Sequence, residues 1–190
     1  MIISHQYKFI VVLNPKCGSN SIDSALKYYD RPNKKDVRSQ RYHNSLDDLT
    51  FDYDEYFTAI FVRNPWDRII SYYKYIVEKS PNHRYHNVLR WHGFEKFIRN
   101  PSMAKLSQCS ARAKGVNWVG RFENLNEDFS DLCQRCGLPN LELPRLNSTD
   151  RSENDLNSYF TSQELIDLVG EQYKTDIELY GYEFPKGKDK

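Results

Sequence analysis

Short, unbroken apolar runs alternate along this chain with longer segments of helical spacing. Lys8-Phe-Ile-Val-Val-Leu13 and Tyr56-Phe-Thr-Ala-Ile-Phe-Val62 are rich in β-branched and aromatic residues, the pattern of strands buried on both faces. Val116-Asn-Trp-Val119 predicts a third strand. A loop and a helix follow each of the first two. Ser21–Tyr29 carries Ile22, Ala25 and Leu26 at helical spacing. After the second run, Asn64 stands where a helix cap belongs, with Pro65 at the first helical position and Ile69, Ile70, Tyr73, Ile76 and Val77 forming a stripe. Ser45-Leu-Asp-Asp48 has the spacing of a capping box opening a short helix. A short helix is predicted around Phe94–Arg99, and another over Leu125–Cys136, stopped by Gly137 and Pro139. Thr161-Ser-Gln-Glu164 reads as a second capping box before a closing helix faced by Leu165, Leu168, Val169, Tyr173 and Ile177. Repeated strand, loop and helix predict an α/β fold with a small parallel sheet.

Composition narrows the class. A chain of 190 residues suits one domain, expected over residues 1–184, with 185–190 as a flexible tail. Fourteen Tyr and ten Phe argue against disorder. With 27 Lys and Arg against 26 Asp and Glu, the net charge of +1 predicts no nucleic-acid partner and no general pull toward anionic membrane. Any anion site must therefore come from local placement of charge. No apolar run approaches the roughly 20 residues that span a bilayer, and the first residues lack a secretory pattern. A soluble, cytoplasmic protein is the expectation. Cys17, Cys109, Cys133 and Cys136 agree with a reducing compartment, and Cys133-Gln-Arg-Cys136 reads as two half-buried thiols on adjacent helical turns rather than a metal site.

Chemistry concentrates in the two strand-loop-helix units. In Asn14-Pro-Lys-Cys-Gly-Ser-Asn20 a parallel strand delivers the chain to a helix N-terminus, where backbone N–H groups favour an anion. Lys16 adds a positive charge, Gly18 permits close backbone approach, and Ser19 and Ser21 add hydroxyl donors. Walker loops place their Lys after the second Gly of G-x-x-x-x-G-K, whereas Lys16 precedes the loop's one Gly. In the second unit, Arg63 precedes the helix and Ser71 lies two turns into it. A guanidinium fork and a hydroxyl suit one phosphate. The plain alternative is an Arg68–Asp67 surface pair with Ser71 facing solvent. Two anion sites on neighbouring strands suit a ligand with two separated phosphates.

These residues resemble sulfotransferases. Pro15-Lys16-x-Gly18-Ser19-x-Ser21 is similar to the family's 5′-phosphosulfate loop, with Cys17 and Asn20 at the intervening positions. Arg63-Asn-Pro-Trp-Asp-Arg68-x-x-Ser71-x-Tyr73 resembles its 3′-phosphate motif. Val119-Gly-Arg-Phe-Glu-Asn-Leu-x-x-Asp-Phe129 and Asp176-Ile-x-x-Tyr-Gly-Tyr-x-Phe184 resemble landmarks of the branch containing carbohydrate sulfotransferases. The four lie in the family's order from about Lys8 to Phe184. Asn20 stands where the family usually has Thr, an amide in place of a hydroxyl. The resemblance implies a P-loop-like, three-layer α/β fold with a small central parallel sheet flanked by helices. It implies 3′-phosphoadenosine 5′-phosphosulfate (PAPS) as donor, 3′-phosphoadenosine 5′-phosphate (PAP) as product and no required metal. The acceptor would be a hydroxyl of a carbohydrate or glycosylated small molecule. Pro15, Lys16, Cys17, Gly18, Ser19, Asn20, Ser21, Arg63 and Ser71 would bind the donor. A loop at Leu146-Asn-Ser-Thr-Asp-Arg151 would close over the nucleotide, with Thr149 and Arg151 as donors, or else form a surface turn.

The attacking hydroxyl needs a base, and His titrates near neutrality. His43 lies between the two donor motifs, where related proteins carry a Lys-His segment that supplies one; it and Lys16 are the expected catalytic pair. His83, His86 and His92 stand as an alternative acceptor wall. Arg31, Lys34, Lys35, Arg38 and Arg41 form a basic stretch around His43, either a solvated face or a rim that draws in anions. Two further classes fit the loop alone: a P-loop-like small-molecule kinase and an inactive nucleotide- or polyanion-binding module. The Lys16 position and the second phosphate motif argue against the kinase.

Overall fold

The computed structural model describes residues 1–29, 35–37, 44–104, 106–146 and 155–185. It divides into two compact units, Met1–Arg63 with Cys109–Asn147, and Asn64–Gln108 with Ser148–Lys190.

The first unit holds the sheet. Strands β1 (Ile2–Ser4), β2 (Phe9–Val12), β3 (Phe57–Val62) and β4 (Trp118–Arg121) lie in that order. β2, β3 and β4 run parallel, and β1 is an antiparallel edge strand. The α/β class and the mostly parallel central sheet are those predicted. All of β2 and all but the first residue of β3 are buried, as continuous apolar runs require. β1 was not predicted, because three residues are too few to show a period. β4 starts two residues later than its apolar pattern suggests. Before it, Asn117 pairs with Thr58 through side chains: the Thr58 N–H donates to Asn117 Oδ1 at 2.6 Å, and the Asn117 N–H donates to Thr58 Oγ1 at 2.9 Å. Gly120 in β4 is dictated by packing, since a Cβ there would lie 2.6 Å from the rings of Phe61 and Trp118.

Helices α1 (Ser19–Leu26), α4 (Ser110–Ala113) and α5 (Leu125–Arg135) complete this unit. α5 packs on β4, burying Phe129, Leu132 and Cys133. The chain leaves it at Gly137, where φ is +65°, as the predicted stop requires. The capping box at Ser45 is present and opens a 3₁₀ turn over Leu46–Asp48.

In the second unit, α2 (Pro65–Lys74) begins as predicted. Asn64 Oδ1 accepts from the N–H groups of Trp66 and Asp67, with Pro65 at the first position. α3 (His86–Ile98) is longer than the predicted helix and breaks at Gly93, whose φ is +73°. α6 (Asp155–Tyr159), α7 (Gln163–Gln172) and α8 (Lys174–Tyr180) follow. The single closing helix expected is therefore two helices, parted at Tyr173. The second capping box also differs: Ser162 is the cap residue and makes no side-chain cap bond. The Glu164 carboxylate instead takes both ends of the Arg99 guanidinium, at 2.7 and 3.0 Å. Trp66, Ile69, Ile70, Phe97, Leu165 and Tyr173 are central to this unit's core.

Candidate active site

The loop between β2 and α1 is a tight turn held at both ends. Its polar anchor is Asn14, buried at the end of β2, whose Nδ2 donates to the Phe61 carbonyl of the adjacent strand at 3.0 Å. The chain then turns through Pro15–Gly18, with the Cys17 N–H donating to the Asn14 carbonyl at 3.3 Å. Lys16 has φ of +67° and Gly18 has φ of +78°. A left-handed lysine costs of order 1–3 kcal/mol and persists only where its surroundings enforce it. Gly18 is also sterically required, because a Cβ there would lie 2.9 Å from Leu125 Cδ2. Directly after it, α1 opens without a side-chain cap bond, and a helix N-terminus presents backbone N–H donors that favour an anion.

Ser19 and Ser21 are buried in the first turn of α1, and Asn20 between them is exposed. Ser21 Oγ accepts from the Leu146 N–H at 3.4 Å. That contact ties the last described residue before the 147–154 segment to the anion loop. Thr149 and Arg151 lie outside the described residues, as do His43 and the basic residues Arg31, Lys34, Arg38 and Arg41. Just beyond His43 the chain is held: Asn44 is buried, and the Ser45 N–H donates to the Asp48 carboxylate at 2.9 Å.

Arg63 ends the β3 side of the first unit. It is only 4% exposed. Its Nη1 donates to the Lys16 carbonyl at 2.7 Å, and its guanidinium stacks 3.7 Å from the Phe122 ring centroid. Stacking on an aromatic face fixes the plane of the fork. The structure thus brings Arg63 and Lys16 into one polar cluster, across strands that are neighbours in the sheet. Phe122 and Asn14 are the residues that motif reading left without a role. Phe122 stands inside the Gly120-Arg-Phe motif, but nothing local in that pattern points it at Arg63.

The second unit holds the rest of the Arg63 motif. Ser71 is buried on α2, which differs from the solvent-facing alternative. Arg68 is not at the surface beside Asp67. It is 1% exposed, donates from Nη1 to the Ser107 carbonyl at 2.9 Å, and lies 4.0 Å from Asp176 Oδ2, itself 1% exposed. Asn64 Nδ2 donates to the Glu183 carbonyl at 2.8 Å, and Trp66 meets Phe184 edge to face. Two of the sequence landmarks are therefore packing partners. His86 is buried, with Nδ1 2.8 Å from the Ile76 carbonyl, so it braces the unit's interior rather than an acceptor wall. His92 is exposed. His83 Nδ1 accepts from the Tyr85 N–H at 3.3 Å, and desolvation, helped by Arg84 and His86, lowers its pKa.

Among the described residues, no group of His, Cys, Asp and Glu is arranged to hold a metal, and no helix is long and apolar enough to cross a membrane. The cluster's side chains, Lys16, Ser19, Ser21 and Arg63, are hydrogen-bond donors, a set that fits a polyanion.

A search of curated proteins gave no match. Among solved structures, the crystal structure of a sulfotransferase from Alicyclobacillus acidocaldarius is similar with a TM-score of 0.40 and 15% identity, over 92% of this chain and 98% of that one. Over residues 1–183 the sequence matches the model of the Sulfotransferase family, and the chain belongs to that family of enzymes, which transfer a sulfuryl group.

Proposed function

We propose that this sulfotransferase draws on PAPS and sulfates a hydroxyl of a carbohydrate or glycosylated small molecule. The observation that carries the reading is the bond from Arg63 Nη1 to the Lys16 carbonyl. It ties the first loop to the second motif at the C-terminal ends of neighbouring parallel strands, where α/β sheets bind ligands. PAPS supplies an activated sulfuryl group whose departure leaves PAP. Pro15, Cys17, Gly18 and Asn20 shape the loop that receives the 5′-phosphosulfate, and Ser19 and Ser21 donate hydroxyls to it. Lys16 neutralises the charge that develops as the sulfur–oxygen bond breaks. The motif resemblance assigns the 3′-phosphate to Arg63 and Ser71, and a closing segment to Thr149 and Arg151. His43 accepts the proton of the acceptor hydroxyl. Positioning and fixed charge supply most of the rate, and no metal is needed in this scheme. The carbohydrate acceptor rests on the landmark motifs at Val119–Phe129 and Asp176–Phe184.

Titration of the purified protein with PAP and with ATP tests the donor. PAP should bind far more tightly, and Arg63→Ala should weaken PAP by at least the roughly 1.5–3 kcal/mol of a charge-assisted hydrogen bond. Its effect on an analogue lacking the 3′-phosphate should be much smaller. Equal losses for both ligands would remove Arg63 from that role. Incubation with labelled PAPS and a panel of sugar and non-sugar alcohols identifies the acceptor class.

A further inference from the structure

The four cysteines are buried thiols, but they are not equivalent. Cys133 and Cys136 belong to α5 and its end, and burial pushes their thiols up, Cys136 to about 12. Cys17 and Cys109 come from the two separate segments of the first unit, 92 residues apart, and their sulfurs are 3.8 Å from each other. Cys17 sits in the anion loop between the two left-handed residues Lys16 and Gly18. Cys109 immediately precedes α4 and takes no part in the chemistry described above.

We propose that Cys17 and Cys109 are an oxidative modification site: a peroxide converts them to a reversible disulfide that reshapes the anion loop and weakens donor binding. The effect on donor binding rests on the PAPS reading above; the bond itself does not. The thiolate of one cysteine attacks a peroxide oxygen, the O–O bond breaks, and the leaving hydroxide takes a proton to become water, giving a sulfenic acid. The second sulfur, losing its proton, attacks the first. The S–S bond forms as the S–O bond breaks, and a second water leaves. Both sulfurs are oxidised by one electron each, and the peroxide is reduced by two. A resolving thiol already in van der Waals contact favours this outcome over further oxidation of Cys17.

The bond requires the sulfurs to close from 3.8 Å to the ordinary length of roughly 2.05 Å. That movement is shared between the side-chain torsions and the backbone of the two residues. Cys17 lies on the side with little freedom: its N–H is bonded to the Asn14 carbonyl, Lys16 carries the Arg63 bond, and Gly18 abuts Leu125. Any part of the movement taken at Cys17 therefore disturbs the Lys16 carbonyl and the first N–H groups of α1 together. Hydrogen peroxide is small enough to reach such a pair during local opening, so oxidation is slow compared with that of an exposed thiol.

The test uses the full chain, reduced and then treated with hydrogen peroxide, with remaining thiols alkylated under denaturing conditions. Mass spectrometry of the non-reduced digest should show the Cys17–Cys109 linkage. Amide hydrogen exchange at residues 16–19 should change by roughly tenfold or more, and PAP affinity should fall by roughly tenfold or more. Dithiothreitol should reverse all three, and Cys109→Ala should abolish them. A Cys133–Cys136 linkage alone, or Cys17 found only as sulfinic or sulfonic acid, overturns the proposal. So does a Cys17–Cys109 bond that leaves exchange in the loop unchanged. If the reduced protein binds no PAP, the donor reading fails, while linkage and exchange still decide the modification site. Should Cys109→Ala not fold, the wild-type protein with and without dithiothreitol gives the same decision.

Discussion

At the residue scale, Lys16 combines a strained backbone with a proposed part in the chemistry. Its backbone is left-handed, its carbonyl is taken by Arg63, and its ammonium is the charge proposed to meet the breaking bond. Lys16→Ala should lower kcat by about two to three orders of magnitude, as for loss of a transition-state donor, with a smaller loss in PAP affinity because backbone donors remain. Unchanged turnover in a folded Lys16→Ala protein would dismiss the loop as the reaction site. His43 is to be judged by a different signature. His43→Ala should reduce kcat by roughly 10²–10⁴-fold and leave PAP affinity nearly intact. The acid limb of the kcat/KM profile should vanish with it, since that limb reports protonation of the free enzyme's base. Near-normal turnover in His43→Ala, with collapse in His92→Ala, would move the base to His92. His86 is the weaker rival, since its Nδ1 already meets the Ile76 carbonyl.

At the scale of elements, the anion loop is a joint between a rigid strand and a rigid helix. Asn14 pins its start to β3 and Gly18 seats its end against Leu125. α2 has a comparable support in its own unit, where Arg68 meets Asp176 on α8. Both groups are shut from water, so removing one charge takes the opposite charge away from the other in a dry setting. Asp176→Asn should destabilise the protein by about 3–5 kcal/mol, read as a lowered midpoint of urea unfolding. The pair thus explains why the Arg63–Tyr73 and Asp176–Phe184 motifs occur in one sequence: Arg68 of the first is packed against Asp176 of the second. A midpoint within error of wild type would deny the pair that structural role.

At the scale of the whole molecule, the near-zero net charge leaves pH to act through individual groups. Desolvation holds the folded-state pKa of His83 below its ordinary 6.5. In the unfolded chain the same ring takes up a proton more readily, so stability is lost as pH falls below about 6.5 and levels off under the lowered folded value. His83→Gln should flatten that part of the profile in urea titrations. A further acid loss should follow as Glu164, whose pKa is lowered by its hydrogen bonds from Arg99, is protonated; it is exposed, so salt should suppress it. An unaltered profile in His83→Gln would assign the first decline to another histidine. Taken by itself, the sequence determined the buried strands, the loop and helix after the first of them, the helix starting at Asn64 and the order of the family motifs. Those are local properties: apolar periodicity, cap chemistry and fixed spacing can be read within a dozen residues. Only the tertiary structure decided that Arg63 reaches Lys16 and stacks on Phe122, that Arg68 is buried with Asp176, and that Cys17 faces Cys109. Each joins residues far apart in the chain, and such meetings depend on strand register and helix packing, which no local pattern encodes.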